Sequence, residues 1–102
     1  MSLDFAILGQ SGAPEKTLSL GVDLHYELIT AAAARALGRF QDFEDYYEDA
    51  EIAADDLPEL AEQVQLLRAE VTSIDLQRFL DGLSELVADA IADHKALHAI
   101  AD

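Results

Sequence analysis

Leu3, Phe5 and Ile7 alternate with Asp4 and Ala6, and Leu18, Leu20 and Val22 alternate with Thr17, Ser19 and Gly21. A two-residue apolar period is the signature of a strand with one buried face. Between the two runs lies "GQSGAPE", whose glycines and proline are turn formers. The pattern predicts a β-hairpin over residues 2–22. Two strands alone are marginal in water, so the apolar side of this hairpin needs helices packed on it. The expected fold class is α+β, an N-terminal β-hairpin packed on three α-helices, the last one long.

The helices follow from a change of period. In "DLHYELITAAAARAL", Leu24, Leu28, Ala31 and Ala32 share a face, Asp23 is a suitable N-cap and Gly38 a suitable end, which predicts a helix over 24–37. Asp56 and Glu59 have capping-box spacing and Pro58 fits a first turn. Leu57, Leu60, Val64 and Leu67 give a second helix over 57–70 a core-facing stripe. Ser73 or Thr72 caps a third, over 74–99, with Leu76, Phe79, Leu80, Leu83, Leu86, Val87, Ala90, Ile91 and Leu97 at helical spacing. Residues 38–55 are left as an acidic connector. With 102 residues and 51% apolar side chains, one domain spanning 1–102 is expected.

Charge narrows the partners. Twenty-one acids against six Lys and Arg leave a formal charge of −15, which opposes direct contact with phosphates or anionic lipid and favours a basic protein partner. It also favours a monomer, with a homodimer through the long C-terminal helix as the alternative, because Leu76, Leu83, Ala90 and Leu97 recur every seven residues. No cysteine is present, so neither disulfides nor Cys-ligated zinc can form. "MSLDFAILGQ" has no basic stretch followed by an apolar one, and no window approaches the roughly 18 apolar residues of a membrane span, so a cytoplasmic location is expected.

Three catalytic or cofactor patterns fail on their chemistry. "GQSGAPEKT" lacks the glycine that precedes lysine in a phosphate loop and puts Glu15 there instead. His94 and His98, four residues apart in a helix, offer two zinc ligands where three are needed. His25 or Asp93 completes a site only if the fold brings it close. His25, Tyr26 and Glu27 point about 100° apart on a helix and do not converge on one atom. The expectation is a protein that is not an enzyme and carries no cofactor and no metal.

The stretch "FQDFEDYYEDAEIAADDLPELAEQ", Phe40 to Gln63, holds ten carboxylates and four aromatic rings and no Lys or Arg. One reading is a solvated acidic loop whose rings are pinned to the core, with Phe40 and Phe43 as the pins. The other is a binding surface. Tyr46 and Tyr47 are adjacent, so in a regular element they cannot both face inward, and one ring is left among acids. Tyrosine gives contact area at low entropic cost, and the acids accelerate encounter with a basic partner. The candidate partner-binding residues are Asp42, Glu44, Asp45, Tyr46, Tyr47, Glu48, Asp49, Glu51, Asp55 and Asp56.

Size, acidity, "DYYED" and the following "IAADDLPELAEQVQLLRAE" together resemble a bacterial toxin-immunity protein, the acidic antidote of a polymorphic or contact-dependent toxin. The resemblance implies that Tyr46 and Tyr47 anchor a toxin domain, with Asp45, Glu48, Asp49 and Glu51 as electrostatic partners. Immunity proteins of the DNase colicins, which use paired tyrosines flanked by acids, are wholly helical, unlike a chain opening with a hairpin. The function this points to is neutralisation of a basic toxin, a nuclease above all. A DNA-mimic regulator of a nucleic-acid-binding protein and a structural, homodimeric interaction module are the alternatives.

Overall fold

The computed structural model describes residues 2–102. Strands β1 (Leu3–Leu8) and β2 (Pro14–Leu20) form the antiparallel hairpin, with Leu3 opposite Leu20 and Phe5 opposite Leu18. Gly12 supplies the positive φ (81°) that its turn requires. Helix α1 (Val22–Ala34) follows, then a 3-10 segment (Gly38–Phe43), a short strand β3 (Ala50–Ile52) and a 3-10 turn (Ala54–Asp56). Helices α2 (Leu57–Glu70) and α3 (Ile74–Ala92) come next, and strand β4 (Leu97–Ala101) closes the chain. The fold is α+β, as the change of period predicts.

The two expected strands are part of a four-stranded antiparallel sheet in the order β2-β1-β4-β3. The helix expected over 74–99 therefore stops at Ala92, and Leu97–Ala101 is β4, seated between β1 and β3. The stop is a Schellman turn. Lys95 N donates to Ala90 O (2.9 Å) and His94 N to Ile91 O (3.1 Å), with His94 in the left-handed region at φ 55°. A histidine stands where glycine ordinarily marks such an end, so the boundary carries no glycine signal. Past the turn, Leu97 and Ala99 point to the core and alternate with His98 and Ile100, a strand pattern of five residues.

Helix α1 ends by the same device, two residues before the glycine expected to stop it. Leu37 N donates to Ala32 O (3.0 Å) and Ala36 N to Ala33 O (3.1 Å), with Ala36 at φ 54°. A left-handed alanine costs roughly 1–2 kcal/mol that glycine avoids. Ala36→Gly is accordingly expected to raise stability by about 1 kcal/mol, less the extra freedom glycine brings to the unfolded chain. The midpoint of urea unfolding checks this. At the other end of α1, Gly21 occupies the N-cap position expected of Asp23, which lies inside the first turn, where its negative charge complements the positive end of the helix dipole. Asp56 sits at the N-cap of α2 without a side-chain capping bond. Ser73 does cap α3, accepting from Leu76 N at 3.3 Å.

The core lies between one face of the sheet and the helices. Leu3, Phe5, Ile7, Leu20, Leu97, Ala99 and Ile52 are buried from the sheet side, and Leu28, Phe40, Phe43, Leu60, Val64, Leu80, Leu83 and Val87 from the helical side. Phe5 is the hub: its ring meets Phe43 edge-on at 4.8 Å and Phe79 at 5.7 Å. Helices α2 and α3 are tied outside the core by Arg68 Nε to Asp81 Oδ1 at 2.8 Å. Leu76, Leu83 and Ala90 are fully or almost fully buried in this core and Leu97 belongs to β4. The seven-residue recurrence of Leu76, Leu83 and Ala90 thus marks positions turned into the core. Among the described residues no helix is long and apolar enough to cross a membrane.

Candidate binding surface

The connector, residues 38–55, is ordered by what its ends touch. Phe40 and Phe43 are 0% and 1% exposed, so they are pins. The C-terminal end of the 3-10 segment is fastened by His25, which sits in the buried stripe His25–Leu28–Ala32 of α1. Its Nε2 lies 2.7 Å from Phe43 O. A carbonyl only accepts, so the Nε2 proton of His25 donates. The N-terminal end is fastened by Arg39. Its guanidinium lies 3.5 Å from Asp42, 3.6 Å from Asp56 and 3.7 Å from Glu59, and its backbone N–H donates to Gln63 Oε1 at 2.9 Å. One cation thus joins the connector to the start of α2 and offsets part of the repulsion there.

On this frame the two tyrosines diverge. Tyr46 is 7% exposed, its ring 5.1 Å from His25, whereas Tyr47 is 66% exposed and meets Tyr46 edge-on at 5.3 Å. Asp45 Oδ1 accepts from Tyr47 N at 2.8 Å, an Asx turn that fixes the backbone from which the outer ring projects. Glu44, Asp45, Tyr46 and Tyr47 line a shallow cleft of about 480 Å³. Burial, then the Tyr47 and Asp4 charges, push the Tyr46 hydroxyl above its ordinary value of 10.0. An acid whose folded pKa is raised favours the folded state below its unfolded pKa and loses that contribution as pH rises through the folded one. Stability is therefore expected to fall above pH 10 as Tyr46 ionises, and urea unfolding at about pH 9 and pH 11 measures the drop.

The candidate acids divide by what they do inside the molecule. Asp42 and Asp56 face Arg39. Asp49 Oδ1 accepts from Ala101 N at 2.7 Å, capping the β4 backbone just beyond its ladder with β3. Glu51 lies 3.5 Å from His98 Nδ1 across that ladder. Glu44, Asp45, Glu48 and Asp55 are exposed and make no ion pair among the described residues. All eight candidate acids are exposed. Among the described residues, those without an ion pair or a bond to a distant residue are Glu44, Asp45, Glu48 and Asp55, beside the exposed Tyr47; Tyr46 and Asp49 tie the segment to the core and to β4.

The structure also places the histidines and the residues that sequence reasoning passed over. His94 is in the turn after α3 and His98 in β4, so they do not share a helical face. His25 is buried, with Nε2 engaged by Phe43. Among the described residues no three His, Cys, Asp or Glu side chains gather as a metal site. Arg39 and His25 organise the connector, though the sequence reading weighs His25 only as a zinc ligand or acid–base group and does not single out Arg39. His25 lies at i, i+3, i+7 with Leu28 and Ala32, a legible stripe; Arg39, the cation directly before the ten acids, is the other available signal.

Neither a protein-family model, nor a curated protein, nor a solved structure matches the chain.

Proposed function

We propose that this protein is an immunity or antitoxin-type binder, which captures a basic toxin domain on the surface around Tyr47 and thereby neutralises it without doing chemistry of its own. The observation that carries the reading is the exposure of Tyr47, held edge-on against a buried tyrosine and ringed by Glu44, Asp45 and Glu48. A rigid aromatic ring costs little entropy to bury, and unpaired acids around it attract and orient a cationic face. Relief of the crowded negative charge on contact with Lys and Arg adds to the drive. A nuclease is the favoured toxin, because an enzyme that grips phosphate presents such a face. Carboxylates covering that face exclude nucleic acid from it.

The test starts with the partner recovered from the source cell at low salt. Purified protein added in equal amount to the recovered partner is expected to abolish its nuclease activity, and Tyr47→Ala protein to restore most of it. A partner that is not basic, or whose activity is untouched by a stoichiometric amount, overturns the assignment.

A further inference from the structure

We propose a second docking site, independent of the Tyr47 surface and on the opposite edge of the sheet: strand β2 accepts an extended, Lys- or Arg-bearing segment of another polypeptide as a fifth strand.

The argument begins with the direction of backbone groups. Asp102 N donates to Ser2 O at 3.0 Å, so the even-numbered residues of β1 turn their N–H and C=O groups to β4 and the odd-numbered ones to β2. Leu20, Leu18 and Lys16 stand opposite those odd residues and are bonded to β1. Thr17 and Ser19 stand opposite Ala6 and Asp4, and their N–H and C=O groups point away from the sheet. Both residues are exposed, and β2 is the outermost strand.

Edges of this kind are ordinarily blunted by shortness, proline or lysine. At the far side, β3 is only three residues long. On β2 the protection covers the first half alone. Pro14 is there, and Lys16 and Glu15 are tied to Asp89 and Lys95, each at 2.9 Å. From Thr17 to Leu20 the edge carries neither charge nor proline.

Two clefts run beside β2, the larger between it, α1 and α3 and the smaller between it and α3. The larger, about 480 Å³, is lined by Leu18, Leu24 and Phe79 with Asp23, Glu27, Asp75 and one cation, Arg78. The smaller, about 220 Å³, is lined by Leu18 and Leu86 with Glu85, Asp89 and the Lys16 that pairs with Asp89. Leu18 divides them where it lies on Gly82, at which an added Cβ would come within 3.2 Å of its Cδ1. Every second side chain of an added strand would lie over these clefts. Asp23, Glu27, Asp75 and Glu85 make no ion pair among the described residues, so the side chains that fit are cationic. A second copy of this chain is the wrong occupant, because it brings a further −15 of charge to the same edge.

The probe is an N-acetylated, C-amidated peptide, Thr-Lys-Val-Lys-Val-Lys-Thr, beside its glutamate counterpart, with amide hydrogen exchange followed by NMR. The lysine peptide is expected to slow exchange at Thr17 and Ser19 by about tenfold or more, and the glutamate peptide to leave it unchanged. Thr17→Pro removes one outward donor at an edge position that tolerates proline, and is expected to abolish the protection at Ser19. Asp75→Asn, which leaves the strand intact, is expected to weaken the peptide severalfold. Unchanged exchange at Thr17 and Ser19 with the lysine peptide saturating overturns the proposal. So does slowing that appears without peptide and grows with protein concentration, which identifies a second copy as the occupant.

Discussion

Phe5→Ala is expected to lower the free energy of unfolding by about 3–5 kcal/mol. The ring is wholly buried at the centre of the sheet and meets two further rings from different parts of the chain, Phe43 of the connector and Phe79 of α3. Its removal leaves a cavity and takes from Phe43 and Phe79 the ring that both meet edge-on. A domain of this size has about 5–15 kcal/mol to lose, so the variant sits near the edge of folding. Urea unfolding of the two proteins measures the difference, and Phe5→Leu, which keeps more of the volume, is expected to lose less. Because His25 holds the carbonyl of Phe43 itself, the candidate surface should loosen in the alanine variant before the helices do. Faster amide exchange across residues 40–47 reports that step.

Tyr47→Ala is expected to behave in the opposite way, altering binding and sparing stability. Its ring is mostly in water, so the unfolding free energy should change by no more than about 0.5 kcal/mol. Loss of a central aromatic anchor, by contrast, costs about 2 kcal/mol or more of affinity, roughly 30-fold, mainly as faster dissociation. Neutralising Glu44, Glu48 and Asp55 together as Gln, Gln and Asn should instead slow association, with an effect that fades as salt is added. Surface plasmon resonance separates the two rates. Tyr46→Ala gives no such separation, because Tyr46 is part of the core and its loss changes fold and surface together.

The parts of this architecture that were legible are those in which one periodic pattern covers a whole element. The hairpin alternation, the Leu57–Leu67 stripe and the Ser73 cap needed no tertiary knowledge. The end of α3 was illegible because Leu97 continues the helical spacing while also beginning a strand, and because a histidine does the turning. β3 was hidden for a different reason. Three residues hold no period, and Ala50–Ile52 is a strand only because β4 arrives beside it. In the candidate surface, adjacency alone required Tyr46 and Tyr47 to diverge, but which one turns inward depends on His25 and the Phe43 carbonyl. The separate duties of Asp42, Asp49 and Asp56 were equally out of reach, since Arg39 and the Ala101 amide are brought to them by folding.

The account rests on a basic partner being held at Tyr47, and capture from a lysate of the source cell at low salt tests that most directly. Wild-type protein is compared with Tyr47→Ala and with Leu66→Ala, which removes an equally conspicuous exposed apolar side chain from α2. The prediction is one basic protein retained by wild type and Leu66→Ala, released by moderate salt, and lost with Tyr47→Ala. Retention by all three, or by none, would contradict it and leave the acidic segment a solvated loop.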